Sequence, residues 1–458
     1  MTQHFDAIVI GTGQAGPPLA ARLAGAGMKV AVIERGRFGG TCVNTGCIPT
    51  KTLIASAYAA QLARRAAEYG VSVGTVSVDM KAVKARKDQI SGRSNHGVEQ
   101  WVRGLDNTTV FQGHARFERA NAVRVGDEVL EAGRIFINVG GRAQIPPMQG
   151  LDAVPYLTNS TMMDVDFLPE HLVIVGGSYV GLEFGQMYRR FGAQVTIVEK
   201  GSRLIRREDE DVSQAVHQIL ANEGIDVQLD ANCLTARRDG DGVVVGLDCT
   251  GGRREVAGSH LLLAVGRVPN TDDLGLEQAG VAVDARGYIT VDDQLRTNVP
   301  GIWALGDCNG RGAFTHTAYN DYEIVAANLL DDDPRKVSDR ITAYAMYIDP
   351  PLGRVGMTLA EARQTGRRLL VGTRPMTRVG RAVEKGESQG FMKVIVDADT
   401  HAILGASILG VTGDEVVHGL LDVMAAGAPY TTISRAMHIH PTVSELVPTL
   451  LQDLHPVE

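Results

Sequence analysis

Two cysteines stand five positions apart in the segment GGTCVNTGCIPTK, residues 39–51. In a regular α-helix, positions i and i+5 are too far apart, and point too differently, to form a disulfide. The chain must therefore bend between Cys42 and Cys47 if their sulfur atoms are to meet, and Gly46 gives the backbone that freedom. The segment predicts a cysteine pair within disulfide range.

The residues after Cys47 predict a helix. Residues 52–69 are rich in Ala and Leu at helical spacing and stop before Gly70, and Pro49 suits a first turn. The positive end of the helix dipole then favours a thiolate on Cys47, so we interpret the pair as redox-active. The alternatives are a structural disulfide or unpaired packing cysteines, while a metal site needs further ligands that this segment lacks.

The composition limits the classes of function. A chain of 458 residues, 44% hydrophobic and 21% charged, predicts about three domains with sizeable cores. Its net charge of -8 gives no electrostatic reason to expect nucleic acid or an anionic membrane as partner. The early strand FDAIVIG leaves no room for a secretory signal, and no run approaches 18 apolar residues, so we expect a cytoplasmic protein. The remaining cysteines are interpreted as packing residues: Cys233, Cys249 and Cys308.

A nucleotide-binding pattern opens the chain. The strand DAIVI runs into Gly11, Gly13 and Gly16, a helix follows to about residue 26, and the strand KVAVIE ends at Glu34. In order, the glycines permit a tight turn, a close approach of backbone to pyrophosphate, and packing of the helix on the sheet. Glu34 falls where a carboxylate binds the ribose hydroxyls of an adenosine.

The same pattern returns with Gly176 and Gly181 as outer glycines and Glu199 as the acid. Both copies place 23 positions between the first glycine and the acid, counted as 34 minus 11 and 199 minus 176. This match predicts two dinucleotide sites, although Ser178 replaces the middle glycine of the second. A carboxylate at Glu199 repels a 2′-phosphate and favours NAD(H) over NADP(H). Three following arginines keep NADP(H) open: Arg203, Arg206 and Arg207.

Several motifs together give the chain a family resemblance. The two fingerprints, GGTCVNTGCIPTK, AVGRVPNT (264–271), TNVPGIWALGD (297–307) and HIHPTVSE (438–445) resemble, over essentially the full length, the flavoprotein disulfide reductases. That family includes dihydrolipoamide dehydrogenase, glutathione reductase and mercuric reductase. The resemblance implies FAD at the first fingerprint, a nicotinamide nucleotide at the second, and a homodimer with shared active sites.

The implied fold is α/β, with two Rossmann-like dinucleotide-binding domains, glutathione reductase-like, plus a C-terminal α+β dimerisation domain. We expect an FAD-binding domain over residues 1–149 and 272–341, with an NAD(P)-binding domain over 150–271 inserted. The interface domain is expected over 342–458.

Two local features refine this organisation. The segment DDDPRK, residues 331–336, is the predicted linker before the interface domain. Alternating apolar residues on both sides of DADTHA predict a β-hairpin within 390–410.

The resemblance also implies roles for individual residues. Cys47 would be the charge-transfer thiolate nearest the flavin, and Cys42 the interchange thiol. Lys51 would lie beside flavin N5 and pair with Glu183, since a buried lysine needs such a partner to stay charged. Tyr179 matches a tyrosine that shields the flavin in some relatives, with simple packing as the alternative.

Further positions are implied as cofactor contacts. Asp307 would bind the FAD ribityl chain, and AFTH, ending at His316, would open a helix whose N-terminus stabilises negative charge on the reduced flavin. A capping or packing role is the alternative for His316. The implied cofactor-binding set is Gly11, Gly13, Gly16, Glu34, Thr41, Lys51, Asp307, His316, Gly176, Tyr179, Gly181, Glu199 and Gly266.

The motif HIHPTVSE supplies acid–base chemistry. Pro441 fixes the turn after His440, and Glu445 follows closely enough to orient the imidazole. A histidine held by a carboxylate is typical of a general acid–base group. The resemblance implies that this pair reaches the other subunit's active site and serves Cys42 during exchange with a substrate sulfur.

We therefore expect a flavoprotein oxidoreductase that passes electrons between NAD(P)H, FAD and the Cys42–Cys47 disulfide to a small-molecule disulfide or dithiol of dihydrolipoamide type. The alternatives are a quinone reductase or a metal-ion reductase of mercuric type. Metal-ion reduction ranks lower because the chain lacks the C-terminal cysteine pair and the N-terminal CxxC domain of mercuric reductases. A hypothesis of another class makes the chain a docking component of a lipoyl-bearing multienzyme complex.

Overall fold

The structure, a computed structural model, describes residues 2–231, 233–248 and 254–457. The elements up to residue 143 are β1 (Thr2–Ile10), α1 (Gly16–Gly25), β2 (Val30–Glu34), α2 (Gly40–Asn44), α3 (Cys47–Arg64), α4 (Met80–Arg103), β3 (Thr108–Gln112), β4 (Ala115–Arg119), β5 (Ala122–Val125), β6 (Glu128–Ile137) and β7 (Gly141–Ala143). The next elements are β8 (His171–Val175), α5 (Tyr179–Phe191), β9 (Gln194–Val198), α6 (Glu210–Asn222), β10 (Asp226–Gln228), β11 (Thr235–Asp239), β12 (Gly242–Gly246), β13 (Glu255–Gly258), β14 (His260–Leu263) and β15 (Arg267–Pro269).

The remaining elements begin with α7 (Leu276–Ala279), β16 (Ile302–Ala304) and α8 (Thr315–Leu330). The C-terminal elements are β17 (Ala343–Met346), β18 (Leu352–Gly356), α9 (Leu359–Gln364), β19 (Leu369–Pro375), α10 (Gly380–Glu384), β20 (Phe391–Asp397), β21 (Ile403–Leu409), α11 (Gly413–Ala425), α12 (Thr431–Ser434), α13 (Leu446–Gln452) and β22 (His455–Pro456).

The first sheet carries the N-terminal fingerprint. Its order is β3-β2-β1-β6-β5-β4, with β16 beside β6. The strands β3, β2, β1, β6 and β16 run parallel, whereas β5 and β4 extend the sheet antiparallel. The whole of β2 and the end of β1 are buried, as expected of parallel strands covered on both faces. The loop after β1 therefore emerges at the carboxyl edge, where such sheets bind nucleotides.

The second sheet repeats this arrangement. Its order is β10-β9-β8-β14, all parallel, and α5 connects β8 to β9. An antiparallel sheet of β11, β12 and β13 follows in the same part of the chain. The short strands β7 and β15 pair antiparallel where the chain passes between the two nucleotide-binding parts.

The C-terminal part is an antiparallel sheet in the order β17-β18-β21-β20-β19-β22. Strands β20 and β21 form the hairpin predicted around DADTHA, with residues 398–402 between them. The helix α11 packs on β18 and β21. The predicted α/β fold class is confirmed, and the three largest sheets have seven, four and six strands. The domain boundaries stay predictions.

Some local expectations need correction. The predicted helix after Cys47 includes Cys47 as its first residue, and it ends at Arg64, with a separate 3₁₀ turn over Ala66–Tyr69. Cys233 is disulfide-bonded, so its interpretation as an isolated packing residue is wrong. Cys308 is fully buried, as predicted for a packing residue, and Cys249 lies outside the described residues. Within the described ranges, no helix is both long and apolar enough to cross a membrane.

Candidate active site

A cavity of about 830 Å³ joins the first fingerprint to the cysteine pair. It begins at the loop after β1, passes the carboxyl end of β2, and reaches α3, α5 and the N-terminus of α8. The predicted site residues that line it are Gly11, Gly13, Glu34, Thr41, Cys42, Cys47, Lys51, Tyr179, Glu183, Asp307 and His316. The other predicted residues, which are not among its described lining residues, are Gly16, Gly176, Gly181, Glu199, Gly266, His440 and Glu445.

The glycines of the first fingerprint pack directly against neighbouring backbone. Gly11 has a φ of +102°, and a Cβ there would lie 2.3 Å from the carbonyl oxygen of Asn138. A Cβ on Gly16 would lie 2.1 Å from the carbonyl oxygen of Gly11. Neither position accepts a side chain, so α1 packs directly on the turn after β1.

The acid that ends β2 is held by the fingerprint itself. Glu34 Oε2 accepts hydrogen bonds from the Thr12 amide at 3.0 Å and the Thr12 hydroxyl at 2.6 Å. Its Oε1 accepts one from the Gly36 amide at 2.8 Å. The carboxylate is therefore fixed at the cavity wall before any ribose reaches it.

The cysteine pair lies where α2 gives way to α3. Cys42 is in α2, Cys47 opens α3, and both thiols are free and partly buried. Gly46 between the helices comes so close to Thr41 that a Cβ would lie 2.9 Å from its carbonyl oxygen. This bend brings the two thiols close enough for each to shift the pKa of the other.

The pKa values of the two thiols are shifted in opposite directions. The hydrogen bond from Cys42 lowers the pKa of Cys47 to about 6, with further lowering by Thr315 and the charge of Lys51. Burial and Glu183 act in the opposite direction. The same hydrogen bond, with burial, raises the pKa of Cys42. Cys47 is thus the thiolate and Cys42 the protonated partner at neutral pH.

A lysine and a glutamate meet beside the thiols. Lys51 Nζ lies 2.7 Å from Glu183 Oε2, so the predicted pair forms between α3 and α5. Glu183 Oε1 accepts a hydrogen bond from the Tyr347 amide at 2.9 Å, and Lys51 Nζ lies 4.6 Å from the centre of the Tyr347 ring. These contacts fix the ammonium group at the cavity wall.

The helix α8 points its first turn at the cavity. Thr315 opens this helix, and its hydroxyl lies 3.0 Å from Cys47 Sγ. His316 Nε2 is 2.6 Å from the carbonyl oxygen of Ala343, and burial lowers the pKa of this imidazole. The ring of His316 is thus tied to the backbone, in agreement with the packing alternative.

Asp307 lies at the cavity between the first and second nucleotide-binding parts. Its Oδ2 is 3.4 Å from Arg267 Nε, and burial raises the pKa of the carboxyl. The adjacent Gly306 amide donates to Asp321 Oδ2 at 2.7 Å, which fixes the turn that presents Asp307.

The second fingerprint repeats the geometry of the first. Gly176 has a φ of +122°, and a Cβ on Gly181 would lie 2.0 Å from the Gly176 carbonyl oxygen. Glu199 Oε2 accepts from the Gly177 amide at 2.7 Å and Oε1 from the Gly201 amide at 2.8 Å. In both copies the acid binds the amide after the first glycine and the amide two positions after itself. Ser178 leaves this pattern intact.

His440 and Glu445 form a pair away from the cavity. His440 Nδ1 lies 3.0 Å from Glu445 Oε2 and 3.1 Å from Oε1, so the predicted carboxylate–imidazole contact is present. The His440 side chain is 81% exposed, whereas that of Glu445 is 16% exposed. Met437 and Ile439, which precede His440 in the chain, are also exposed, at 99% and 79%. The imidazole therefore projects outward from the chain that carries it.

Sequence reasoning missed several residues at the site. Thr315 stands inside the quoted AFTH segment, and its place at the start of a helix was the available signal. Tyr347 and Arg267 contact the site through domain packing, and only Arg267 falls in a quoted motif. Their roles depend on contacts between residues far apart in the chain.

Comparison with known proteins places these features in one family. The sequence model described as pyridine nucleotide-disulphide oxidoreductase matches residues 5–321, and that of its dimerisation domain matches residues 342–451. The probable pyridine nucleotide-disulfide oxidoreductase RclA of Escherichia coli (strain K12) is 36% identical over 449 residues, covering 96% of this chain and 97% of RclA. A dihydrolipoyl dehydrogenase of Haloferax volcanii is 34% identical over 452 residues, covering 96% of this chain and 94% of the relative.

A solved structure is similarly close. The Cu(II) complex of the HOCl-induced flavoprotein disulfide reductase RclA from Escherichia coli superposes with a TM-score of 0.90 at 35% sequence identity. The match covers 98% of this chain and 99% of that one. The similarity therefore extends over the three largest sheets and both fingerprints.

Proposed function

This chain belongs to the pyridine nucleotide-disulphide oxidoreductase family, and we propose on that premise that Cys42 and Cys47 are its redox pair and that NADH reduces a disulfide substrate through them. The chain is a flavoprotein oxidoreductase that acts on sulfur groups and carries a dimerisation domain. The observation that carries the proposal is the position of Cys47 Sγ at the cavity, 3.0 Å from the Thr315 hydroxyl, where the pKa of the thiol is lowered to about 6.

The residues present fit FAD. The cavity extends from the tight glycine turn of the first fingerprint, past Glu34, to the cysteine pair. Gly13 has no side chain to obstruct it, and Gly40 comes so close to Gly13 that a Cβ would lie 2.8 Å from its Cα. Glu34 would hold the adenosine ribose, and Asp307 the ribityl chain. When bound, the flavin supplies two-electron transfer between a nicotinamide and a sulfur pair.

The chain's own residues stabilise Cys47 as a thiolate. The Thr315 hydroxyl, 3.0 Å from Cys47 Sγ, donates to the thiolate, and the Lys51 ammonium adds positive charge. Glu183 holds that ammonium in place. Cys42 keeps its proton until a base removes it. The thiolate that then forms on Cys42 attacks the external sulfur.

The base for that exchange is His440. In one chain its imidazole is outside the cavity, so we propose that each His440–Glu445 pair serves the cavity of the partner subunit in a homodimer. The Glu445 carboxylate, 3.0 Å from His440 Nδ1, orients the ring. The exposed apolar side chains of Met437 and Ile439 lie beside it and would be buried by such an interface.

The nicotinamide nucleotide is proposed to be NADH. Glu199 repeats the amide contacts of Glu34, and a fixed carboxylate at this position accepts from a 2′-hydroxyl and repels a 2′-phosphate. The nearby Arg203 donates to the Arg206 carbonyl oxygen at 3.2 Å, so part of its hydrogen-bonding capacity is used within the loop.

For the acceptor, we favour a small disulfide that is reduced to a dithiol of dihydrolipoamide type. One NADH and one proton then give two thiols and NAD⁺, with the substrate S–S bond broken. The second candidate is Cu(II), since one solved structure of RclA is a Cu(II) complex; one NADH would then reduce two Cu(II) ions to two Cu(I) ions and give NAD⁺ and one proton. The described residues hold no cluster of three or more metal-ligating side chains, which favours the disulfide.

A steady-state screen tests these assignments. Purified, FAD-loaded wild type is supplied with NADH or NADPH and with lipoamide, glutathione disulfide, Cu(II), Hg(II) or a quinone, beside His440→Ala. His438→Ala is the matched control, because among the described residues the hydrogen-bond partner of His438 is the Ala436 carbonyl oxygen, at 3.3 Å, and not a carboxylate. We expect lipoamide turnover that only His440→Ala abolishes. Turnover confined to Cu(II) and retained in His440→Ala contradicts the disulfide assignment.

Adding a lipoyl domain to the same screen tests membership of a lipoyl-bearing complex. If the chain were a docking component, free lipoamide would be a poor acceptor and a lipoyl domain a good one. We expect free lipoamide to suffice.

A further inference from the structure

A buried carboxylate lies behind the turn that presents Asp307 to the cavity. Asp321 is 2% exposed and belongs to α8, the helix that Thr315 opens. Gly306 and Asp307 line the cavity, whereas Asp321 is not among its described lining residues. A buried carboxylate is costly unless its oxygens accept hydrogen bonds, so the donors to Asp321 indicate what it holds in place.

One oxygen of Asp321 accepts two hydrogen bonds from this turn. Asp321 Oδ2 accepts from the Gly306 amide at 2.7 Å and from Asn309 Nδ2 at 2.9 Å. Gly306 and Asn309 are the first and last residues of a single 3₁₀ turn, and Asp307 lies between them. The carboxylate therefore holds both ends of the segment that carries Asp307.

The other oxygen of Asp321 is held by an arginine. Arg340 Nη2 donates to Asp321 Oδ1, a charge-assisted hydrogen bond between two largely buried side chains. Arg340 Nε donates to Asn320 Oδ1 at 2.6 Å, so the guanidinium is attached to α8 at two adjacent residues. Each oxygen of the carboxylate thus has its own donors, the turn on Oδ2 and the arginine on Oδ1.

The turn is also packed between α8 and the first fingerprint. Gly306 has a φ of +71°, and a Cβ there would lie 3.4 Å from Ala318 Cβ in α8 and 3.2 Å from Asn138 Oδ1. Asn138 Nδ2 in turn donates to the Gly13 carbonyl oxygen at 3.2 Å. The position of this turn is therefore set by the fingerprint on one side and by α8 on the other.

We propose that Asp321 is a positioning residue for FAD, whose carboxylate holds the Gly306–Asn309 turn so that Asp307 meets the ribityl chain. The inference rests on the proposed function, since that is where Asp307 is assigned to the ribityl chain. Asp321 acts through Asp307 and does not touch the cofactor. Because α8 also carries Thr315, 3.0 Å from Cys47 Sγ, one helix supports both the ribityl contact and the thiolate.

The position of Asp307 predicts which half of FAD depends on Asp321. Asp321→Asn leaves one carbonyl oxygen, which cannot serve both the turn and Arg340. Loss of a buried hydrogen bond to a charged acceptor changes a binding constant by about tenfold or more, so FAD should bind at least about tenfold more weakly. ADP has the adenosine and pyrophosphate of FAD but no ribityl chain. Its binding should stay unchanged, because Glu34 and the fingerprint hold that half.

The experiment compares the two ligands on the full chain freed of FAD. Dissociation constants for FAD, from quenching of flavin fluorescence, and for ADP, from calorimetry, are measured for wild type, Asp321→Asn, Asp307→Ala and the double variant. The double variant should lose no more FAD affinity than Asp307→Ala alone, because Asp321 acts through Asp307. Circular dichroism and melting temperature establish that each variant is folded.

Asp397→Asn is the matched control. Asp397 is 3% exposed, and its Oδ1 accepts from the amides of Asp399 and Thr400 at 2.9 and 3.0 Å. Its Oδ2 accepts from Arg367 Nη1 at 2.9 Å. The residue thus holds a turn and an arginine as Asp321 does, at a position that is not among the described lining residues of the cavity. Asp397→Asn should change neither FAD nor ADP binding.

A second variant covers the case in which Asp321→Asn does not fold. Asn309→Ala removes one of the two hydrogen bonds from the turn and leaves the Asp321–Arg340 pair intact. It should weaken FAD binding less than Asp321→Asn and leave ADP binding unchanged. Wild-type FAD affinity in Asn309→Ala would then overturn the inference.

The outcomes separate this inference from the proposed function. Weaker FAD binding with unchanged ADP binding in Asp321→Asn, but not in Asp397→Asn, supports the inference. Unchanged FAD binding in a folded Asp321→Asn, or an equal loss of FAD and ADP, overturns it. If Asp307→Ala alone loses FAD affinity, the ribityl contact of the proposed function still stands. Wild-type FAD affinity in Asp307→Ala overturns that contact and the inference together.

Discussion

The cysteine pair and the His440–Glu445 pair occupy opposite kinds of environment. Cys47 is partly buried, in contact with Thr315 and near Lys51, all from its own chain. His440 has one carboxylate partner and a side chain 81% exposed. The cysteine pair has all its contacts within one chain. The His440–Glu445 pair is oriented, but within its own chain it lies outside the cavity.

This difference indicates how the active site is assembled. The thiolate requires fixed dipoles and charges, which only residues packed around it can supply. The acid–base group has to reach a cavity outside its own chain, so it is carried by an exposed segment beside Met437 and Ile439. A dimer would bring the two together and give each half the environment that it lacks.

The largest effect is expected at Cys47. Cys47→Ser removes the thiolate that relays electrons to the substrate, so disulfide turnover should fall at least a thousandfold. The long-wavelength absorption expected on anaerobic NADH titration should disappear, while FAD content stays the same. Cys308→Ser, at a buried thiol outside the described cavity lining, is the control. Undiminished disulfide turnover in Cys47→Ser would show that electrons do not pass through the Cys42–Cys47 pair.

At the exposed pair we expect a smaller but still large loss. His440→Ala removes a general acid–base group, which is worth about 10²- to 10⁴-fold in turnover. Steady-state rates with lipoamide measure it. Glu445→Gln, which keeps a hydrogen-bond acceptor, should lose less. Equal rates in His440→Ala and wild type would leave the exposed histidine without a catalytic role.

The lysine–glutamate pair at the cavity should show an intermediate effect. Glu183→Gln removes the charge that fixes the Lys51 ammonium, and we expect about a tenfold loss of NADH-dependent turnover. Glu387→Gln is closely matched, since Lys385 lies 3.1 Å from Glu387 with side-chain exposures of 35% and 8%, against 34% and 7% for Lys51 and Glu183. A similar loss in both variants would indicate general destabilisation.

The smallest change is a shift in pH dependence. Because the pKa of Cys47 is lowered to about 6, its thiolate persists above that pH and is protonated below it. In Cys42→Ser, alkylation of the reduced protein by iodoacetamide should therefore fall as the pH drops through about 6. Cys42→Ala removes the largest cause of the lowered pKa, so its midpoint should move upward. An identical midpoint near 9 in both variants would contradict the assigned thiolate.

The sequence predicts the parts of the fold that depend on local pattern. The glycines of both fingerprints, the β20–β21 hairpin and the bend between Cys42 and Cys47 follow from spacing and backbone geometry, and each is present. The helix predicted after Cys47 is present, but it begins at Cys47 itself and ends at Arg64, earlier than the apolar spacing indicates.

Other features arise only when the domains pack. The contact between Cys47 and Thr315 joins residues 268 positions apart, and that between Glu183 and the Tyr347 amide joins residues 164 positions apart. Glu208 stands in the acidic run EDED, residues 208–211, a pattern typical of a solvated surface, yet its side chain is buried. No local periodicity distinguishes such a carboxylate from an exposed one.

The most direct measurement of whether the two pairs act together is a hybrid-dimer experiment. Cys47→Ser and His440→Ala chains, each inactive as a homodimer, are denatured, mixed in equal amounts and refolded. If each cavity uses the partner's histidine, every hybrid dimer retains one intact site, and random pairing restores about a quarter of wild-type disulfide turnover. A mixture that refolds with its FAD and stays inactive would contradict the shared site.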